Sequence, residues 1–530
     1  MASTSQGEKL MTGFRDVQVD PYFGGFVLET LTIGMYEETR NAIREYVQNG
    51  FDSIQRAVTK LHQLDPNEGL IRIIFDIDGD GVRIRDNGAG LSAQIAVRTL
   101  TSIGASAKDF STDAGFRGIG RLAGVAFCDT LTFTTKAISE PILTEVIFDA
   151  KKMREMMSPE HGSKYSALQL LKDCVVGRQS DISPDEPPFF EVSMRSFAEP
   201  PTELTSPEQM ELFIAQISPV GYREDFAFAS AIQKYAQTAP VPIDTVKIVI
   251  EETNEEPKPI LKPYGAKYEI QDAEAKVTLS DIKFYTSPTA QWWAWVAKKD
   301  APGSYTEEEV RGIRVRTKNL QIDGTALVRE IFQRQNKSNG RYQDWFIGEI
   351  FVDPKRVVPN ARRDGFEDNK AWRAIRNEIG GTVCKDAGTW AQEVSNQGQL
   401  TLEKLTQKTE RIADEFETLR RSEFKDGDRT IGVSAAMTKL QTEVGRAARN
   451  ANAATLSSLQ ALGSKLLDMK AEAMGKLAPG TPKIDSDRIE NEARDVLLGE
   501  LMAQFEQHLE LPCLASVRTV VKREFGWPRS

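Results

Sequence analysis

Apolar positions recur with a helical period in one stretch near the start of the chain, MYEETRNAIREYVQNGFDSIQRA. Ile43, Val47, Ile54 and Val58 follow one another at spacings of four and seven, which places them on one face of a helix. The remaining positions are mostly polar. This pattern predicts an amphipathic helix whose apolar side packs on a core.

Strand-like alternation with a period of two follows in several later segments. IRIIFDIDGDGVRIR, DTLTFTTKA and PILTEVIFDA predict strands of one sheet, and PFFEVSMRSF predicts its last strand. The stretch between PILTEVIFDA and about Pro188 is polar and predicts mainly loop. After the turn-rich Ala198–Pro201 segment, two helical patterns and a second set of strands predict another α+β domain.

The second set of strands comprises TVKIVIEE, KYEIQDAEAKVTLSDIKFY, QWWAWVAKK, GIRVRTKNLQI and WFIGEIFVD, with a helix in TALVREIFQRQN. On a strand, Trp293 and Trp295 share one face and Trp292 lies on the other. Core packing on both faces is favoured over an exposed surface that binds a partner.

The last third of the chain is rich in Ala, Glu, Lys, Gln and Leu and has helical spacing. Apolar seams with alternating spacings of three and four predict an antiparallel, coiled-coil-like helical hairpin, interrupted at FKDGDRTIG. The seam positions are Leu402, Leu405, Thr409, Ile412, Phe416 and Leu419, then Leu459, Leu462, Leu466 and Met469. A final helical unit contains Leu497, Leu498, Leu501, Phe505 and Leu509, which suit either self-packing or a dimer interface.

A chain of 530 residues is too long for one core. We predict an α+β protein with domains over residues 1–204, 205–370, 371–478 and 479–530. No run of eighteen apolar residues is present, so no membrane span is predicted. Four scattered cysteines without C-x-x-C spacing indicate a reducing, cytoplasmic compartment rather than a zinc site or disulfide framework. A net charge of −10 disfavours a surface devoted to nucleic acid.

Candidate chemistry lies in three motifs in fixed order. Glu45, Asn49 and Asp52 form one polar stripe of the first helix. Asp86 stands at a strand end before Gly88 and Gly90, whose lack of a side chain permits a tight turn. The third motif has Gly115, Gly118 and Gly120 in G-x-x-G-x-G order, and differs from both a dinucleotide fingerprint and a P-loop.

These three motifs together resemble the Bergerat nucleotide fold of the GHKL superfamily, which includes gyrase, heat-shock-ninety chaperones, sensor histidine kinases and MutL. The resemblance implies an α/β sandwich domain that binds ATP and Mg²⁺. Glu45 would then be the general base that orients the attacking water. Asn49 would be the Mg²⁺ ligand, and Asp86 would accept a hydrogen bond from the adenine amine.

The glycines of the second and third motifs would let the backbone approach the nucleotide. Gly88 and Gly90 would face the base, while Gly115, Gly118 and Gly120 would turn N–H groups towards the phosphates. Lys108 resembles a lysine that contacts the terminal phosphate, with a solvated loop lysine as the alternative. Asp52 is given a supporting role in the pocket. Several superfamily members carry a late-strand threonine that touches the adenine network, and that contact is left unassigned here because Phe189 and Phe190 stand about where it is expected.

The segment Val358–Asp364 follows WFIGEIFVD and resembles the heat-shock-ninety loop that sends an arginine into the ATP site. Arg363 matches that arginine, and Arg362 is the neighbouring candidate. A guanidinium supplied from a second domain neutralises charge that develops on the γ-phosphate. The alternative is a surface ion pair of Arg363 with Asp364 or Glu367.

The expected function is therefore that of a heat-shock-ninety-like ATPase, in which ATP drives a clamp-like closure on a protein partner within a homodimer. The resemblance to the chaperones ends near residue 370, which leaves the use of ATP open. A DNA-linked clamp of the MORC or MutL kind and an ATP-binding scaffold without turnover are the alternatives. The acidic composition disfavours the first alternative, and the presence of both Glu45 and Asn49 disfavours the second.

Overall fold

The computed structural model describes residues 22–34, 40–76, 79–104, 118–161, 164–197, 200, 202–252, 255–271, 275–299, 301–322, 324–360, 363–399, 402–449, 453–476, 502, 517 and 521. The chain divides into two compact units, Met1–Val394 and Ser395–Ser530. The candidate residues of the three motifs and Arg363 all belong to the first unit. The four domains proposed from the sequence remain a prediction.

The first unit contains an eight-stranded sheet in the order β5-β4-β3-β6-β2-β1-β7-β8. Neighbouring strands pair antiparallel except β1 and β7, which are parallel. Apolar side chains on one face pack under helices, as the period of two requires. The strands are β1 (Leu70–Phe75), β2 (Gly81–Asp86), β3 (Cys128–Lys136), β4 (Ile142–Asp149), β5 (Val175–Asp181), β6 (Phe189–Phe197), β7 (Lys247–Glu251) and β8 (Lys258–Pro259).

Three expectations about this part of the chain are wrong. The segment PFFEVSMRSF is β6, an interior strand, and the sheet continues into β7, which had been expected in the second sheet. Ile71 of β1 lies opposite Ile248 of β7, so the pairing joins residues far apart in the chain. The stretch before Pro188, expected to be loop, contains two helices and the edge strand β5.

Helices cover this sheet, and the predicted amphipathic helix is among them. Ile43, Val47 and Ile54 of that helix, α2, are buried in the core shared with β1 and β2. Among the described helices, none is both long and apolar enough to cross a membrane. The helices up to residue 236 are α1 (Gly25–Glu29), α2 (Arg40–Thr59), α3 (Ala93–Thr101), α4 (Ala150–Met157), α5 (Ala167–Cys174), α6 (Thr202–Thr205), α7 (Pro207–Ile217) and α8 (Ala229–Ala236).

A second, five-stranded sheet follows in the order β12-β11-β13-β10-β9. Its central strands are buried on both faces, because Trp292 packs into one core while Trp293 and Trp295 pack into another. The preference for two-sided core packing of these tryptophans is therefore confirmed. The strands are β9 (Asp281–Thr286), β10 (Trp292–Lys298), β11 (Gly312–Thr317), β12 (Leu320–Ile322) and β13 (Ile347–Val352), with helices α9 (Ala326–Gln335), α10 (Lys370–Ile379) and α11 (Lys385–Gln399). The predicted α+β class is confirmed.

A buried charge cluster lies beside the second sheet, around the carboxylate of Glu349 on β13. Lys262 donates to Glu349 Oε1 over 2.7 Å, Tyr222 donates to Oε2 over 2.6 Å, and Arg316 of β11 also bonds Oε1. Burial alone would raise the pKa of Glu349, but the charges of Arg316 and Lys262 outweigh it and hold that pKa well below its ordinary value. Arg316 also donates to the carbonyl of Gln216 in α7 over 2.7 Å. The cluster thus connects the second sheet to helix α7.

In the second unit, the described residues 402–449 and 453–476 form α12 (Leu402–Arg421), α13 (Gly427–Arg449) and α14 (Ala453–Gly475), which share one apolar core. The predicted apolar seam positions lie in this core. The structure places an additional helix, α13, between the two arms of the predicted hairpin. Asp426 explains the difference, since its carboxylate accepts a hydrogen bond from the backbone N–H of Arg429 over 3.0 Å. It caps the start of α13 where the Asp–Gly–Asp run suggested a break. Among the terminal leucines, Leu497, Leu498, Leu501 and Leu509 lie outside the described residues, as does Phe505.

Lys299, directly after β10, is fully buried. Its Nζ donates to the carbonyl of Trp345 over 2.8 Å and lies 4.2 Å from the ring centre of Tyr305. Burial lowers the pKa of Lys299 to about 7. The folded chain therefore releases a proton from this lysine at a lower pH than the unfolded chain does.

We expect the free energy of unfolding to rise between about pH 7 and the ordinary lysine pKa of 10.5, because the unfolded chain binds more protons there. The contribution of Lys299 should approach about 1.4 kcal/mol per pH unit in the middle of this window. Denaturant unfolding followed by tryptophan fluorescence at several pH values, for wild type and Lys299→Met, measures it. In the variant, the free energy of unfolding should rise less steeply with pH over this window. Identical pH dependence in the two proteins would contradict a lowered pKa of Lys299.

Candidate functional site

A cavity of about 410 Å³ opens beside α2. Such a volume lies in the range of small-molecule sites. Polar side chains from α2 form one wall, and apolar side chains from β3 and β6 form the floor. The lining residues are Tyr46, Asn49, Asp52, Ser53, Arg56, Lys60, Asp86, Ala89, Gly90, Leu91, Thr99, Leu100, Arg121, Phe133, Phe190 and Val192.

Asn49 and Asp52 reach the cavity because of the helical period of α2. The positions between them that face the sheet are apolar, so the helix docks with its polar stripe turned to the cavity. Asp52 is buried. The structure therefore brings both of these predicted residues to one wall.

Asp86 is the last residue of β2 and is also buried. Its Oδ1 accepts a hydrogen bond from the backbone N–H of Gly88 over 3.0 Å, which shapes the turn that follows. The turn packs closely on α2, since a Cβ built on Gly88 would lie 2.3 Å from Oγ of Ser53. This contact explains why Gly88 has no side chain.

Gly90 has a φ of +63°, and a Cβ built there would lie 2.1 Å from the carbonyl oxygen of Lys136. Both the conformation and the space require glycine at this position. The next residue, Leu91, donates its N–H to Oγ1 of Thr135 over 2.8 Å, and that hydroxyl donates to the carbonyl of Phe189 over 3.0 Å. Thr135 therefore connects the turn to β3 and β6.

Thr135 is a residue that the sequence analysis missed. Leu131 and Phe133 of β3 are buried, and the period of two puts Thr135 on the same inward face. A polar residue at an inward strand position was the available signal. Phe190 lies directly opposite Asp86 in the β2–β6 register, so the neighbouring strand offers no hydroxyl at that point.

Glu45 lies on the same stripe of α2, next to the third motif. A Cβ built on Gly120 would lie 2.1 Å from Oε2 of Glu45, so the glycine backbone contacts the carboxylate. Gly118 has a φ of +70°, and Gly120 begins a 3-10 helix that ends at Ala126. Gly115 and Lys108 lie outside the described residues.

Tyr46 holds this 3-10 helix against α2. Its hydroxyl donates to the carbonyl of Arg121 over 3.1 Å and accepts from the backbone N–H of Gly124 over 2.7 Å. A Cβ built on Gly124 would lie 2.6 Å from that hydroxyl oxygen. The turn after the third motif is thus fixed on the helix that carries Glu45.

Arg363 reaches the same carboxylate from the loop that follows β13. Its Nε lies 2.8 Å from Oε1 of Glu45, and both side chains are largely buried, with 8% and 12% exposed. Neighbouring Asp364 accepts a hydrogen bond from Asn360. Arg363 therefore forms a buried ion pair with Glu45, whereas the alternative was a surface pair with Asp364 or Glu367. Its catalytic role stays a prediction. Arg362 lies outside the described residues.

The backbone of this loop holds Arg363 in the left-handed region, with a φ of +57°. The backbone N–H of Asn360 donates to the carbonyl of Gly365, and the N–H of Arg363 donates to the carbonyl of Asn360. Pro359 and Phe366 form an isolated antiparallel β-bridge. A non-glycine residue in this region costs on the order of 1 kcal/mol and is concentrated at functional sites. The strained residue here is the one that contacts Glu45.

Asn49 is the predicted metal ligand of this site, and that role stays a prediction. Among the described residues, no group of three or more His, Cys, Asp or Glu side chains could hold a metal ion. A neutral amide oxygen is nevertheless a ligand type that Mg²⁺ accepts when phosphate and water oxygens supply the rest. The cavity wall therefore fits a cation that arrives with a phosphorylated ligand.

Residues 36–173 match the family described as histidine kinase-, DNA gyrase B- and HSP90-like ATPase. No curated protein matches the sequence of the chain. The matched segment is thus a GHKL-type ATPase domain, as the three motifs predicted, and domains of this family bind ATP and generally hydrolyse it. The match covers three branches of the superfamily together, so the closer resemblance to the heat-shock-ninety family stays a prediction.

Gly90 and Gly104 allow a matched test of the turn, because both have a positive φ, +63° and +70°. A Cβ on Gly104 would meet nothing within 4 Å, whereas one on Gly90 would collide with the backbone. We expect Gly104→Ala to lower the free energy of unfolding by about 1 kcal/mol. Gly90→Ala should cost a further 1–3 kcal/mol or so through overpacking. Denaturant unfolding measures both, and equal losses would mean that the turn relaxes around the added methyl group.

Proposed function

We propose that the chain is a heat-shock-ninety-like ATPase that hydrolyses Mg²⁺-ATP and uses the reaction to close on a protein partner. The contact between Arg363 and Glu45 carries this proposal. It brings a cation from the loop after the second sheet to a carboxylate of the ATPase domain, over 2.8 Å. In such an arrangement the reaction centre is complete only when the loop after the second sheet contacts the ATPase domain.

The base of the nucleotide is assigned to the buried end of the cavity. Asp86 would accept a hydrogen bond from the exocyclic amine there, above the apolar floor formed by Phe133, Phe190 and Val192. Two glycines lie beside this carboxylate and support the role: a Cβ built on Gly50 would lie 3.5 Å from Oδ2, and Gly88 donates its N–H to Oδ1. A buried, fixed acceptor discriminates strongly between bases that carry an amine and those that do not.

The phosphates are assigned to the end of the cavity near the third motif. Gly118 and Gly120 would let backbone N–H groups face them, and Asn49 would hold the Mg²⁺ ion. The metal would neutralise negative charge on the phosphates when it is bound. Lys108 and Gly115, outside the described residues, keep their proposed phosphate contacts as predictions.

Glu45 would orient the attacking water and accept its proton. Arg363 would hold the Glu45 carboxylate in place and would also bring positive charge to the terminal phosphate, where charge develops in the transition state. Because Gly120 leaves no space for a side chain, the carboxylate is confined between backbone and guanidinium. A confined base is already oriented before the reaction begins.

The partner is proposed to be a protein rather than nucleic acid, because the net charge of −10 disfavours a general nucleic-acid surface. A homodimer is also proposed, although the heptad seams that motivated it are buried within the second unit itself. The remaining sequence support for the dimer is the leucine-rich terminal segment.

Glu45→Ala should abolish ATP hydrolysis while ATP binding persists, since the carboxylate serves the reaction more than the affinity. A phosphate-release assay and calorimetry on the full chain measure the two quantities. Glu415→Ala, on an exposed face of α12, is the control for loss of a carboxylate and should keep wild-type turnover. Unchanged turnover in Glu45→Ala would remove Glu45 from the mechanism.

Arg363→Ala should bind ATP nearly normally but lose at least about tenfold in turnover, equivalent to about 1.4 kcal/mol of barrier. Arg356→Ala is the matched control, because Arg356 lies in the same loop region but is 59% exposed. Equal defects in both variants would indicate a general loss of positive charge. Normal turnover in Arg363→Ala would exclude the proposed contribution of the loop after β13 to catalysis.

A further inference from the structure

Arg121 lines the cavity but takes no part in the mechanism described above. It directly follows Gly120, whose backbone contacts the Glu45 carboxylate, and its own carbonyl accepts the hydrogen bond from Tyr46. Its backbone is therefore fixed at the third motif. The residue as a whole is part of the cavity lining.

The two ends of the cavity can be located along α2. The turn after Asp86 packs against Ser53, and the third motif packs against Glu45. These two helix positions are eight residues apart, which corresponds to about 12 Å along a helix with a rise of 1.5 Å per residue. Arg121 thus belongs to the end opposite Asp86, with Asn49 between the two ends.

The electrostatic surroundings of Arg121 differ from those of Arg363. Arg363 forms an ion pair with Glu45, whereas no described carboxylate forms an ion pair with Arg121. Burial lowers the pKa of Arg121 below its ordinary value, although the guanidinium stays charged. Removing a cation from water is costly, and a phosphate group in the cavity would offset that cost for Arg121.

We infer that Arg121 binds the phosphate groups of the nucleotide and makes the cavity selective for nucleoside di- and triphosphates over nucleosides. A guanidinium suits this task, because its planar donors form paired hydrogen bonds with phosphate oxygens. The inference rests on the proposed function, since it assigns a further ligand to the same ATP site. It adds a side-chain contact to the backbone contacts expected from the glycines.

The test compares the affinity of the full chain for ATP, ADP and adenosine by calorimetry. Arg121→Ala should weaken ATP and ADP binding by at least about tenfold, the usual scale for a lost hydrogen bond to a charged group. Adenosine affinity should stay within about twofold, because the base site is at the other end. Arg121→Lys should restore part of the loss, since it keeps the charge but not the paired geometry.

Arg98→Ala, which removes an exposed arginine at the end of α3, is the control and should leave all three affinities unchanged. Undiminished ATP affinity in Arg121→Ala would overturn the inference alone, and so would an equal loss for ATP and adenosine, which would indicate a damaged pocket. Failure of the wild-type chain to bind ATP or ADP would instead contradict the proposed function, and the Arg121 assignment with it.

Discussion

The carboxylate of Glu349 is the constraint on which the arrangement of the first unit depends. It is fully buried and is held by Lys262, Arg316 and two tyrosines that come from different parts of the chain. Burying charges is costly, and removal of one partner from such a cluster typically costs about 3–5 kcal/mol. Because these bonds are directional, they fix β13 relative to β11 and, through Arg316, relative to α7. The apolar cores on either side could tolerate sliding, but the charge cluster cannot.

The placement of Arg363 follows from that constraint. Arg363 lies in the loop that leaves β13, the strand that carries Glu349, so the strand fixes where the loop starts. The loop then closes through its own backbone bonds and holds Arg363 at a positive φ. A strained conformation of this kind persists only when its surroundings determine it. Here the ion pair with Glu45 holds the side chain of Arg363, and the fixed strand β13 holds the start of its loop.

Features set by local periodicity could be predicted from the sequence, and features set by distant pairing could not. The polar stripe of α2 and the turn after Asp86 depend on residues a few positions apart, and both were located correctly. The pairing of β1 with β7 joins segments that no local pattern connects, so β7 was placed in the wrong sheet. Arg314 and Arg316 alternate with apolar residues as solvent-facing positions would, yet both are buried. Arg316 bonds Glu349, whereas Arg314 donates to backbone carbonyls such as that of Glu308. Thr135 and Arg121 were missed because their roles depend on contacts with the turn and the cavity rather than on a spacing.

The tryptophans of the chain begin at Trp292, so the segment matched to the ATPase family contains none. Trp292, Trp293 and Trp295 are buried in the two cores of the second sheet, and their fluorescence depends on packing there. None of these three tryptophans is among the residues that line the cavity, so their emission does not report direct contact between a nucleotide and the cavity. A change in the emission of these three indoles on ATP binding would instead report altered packing around the second sheet. They are therefore optical reporters of communication between the ATPase domain and the second sheet.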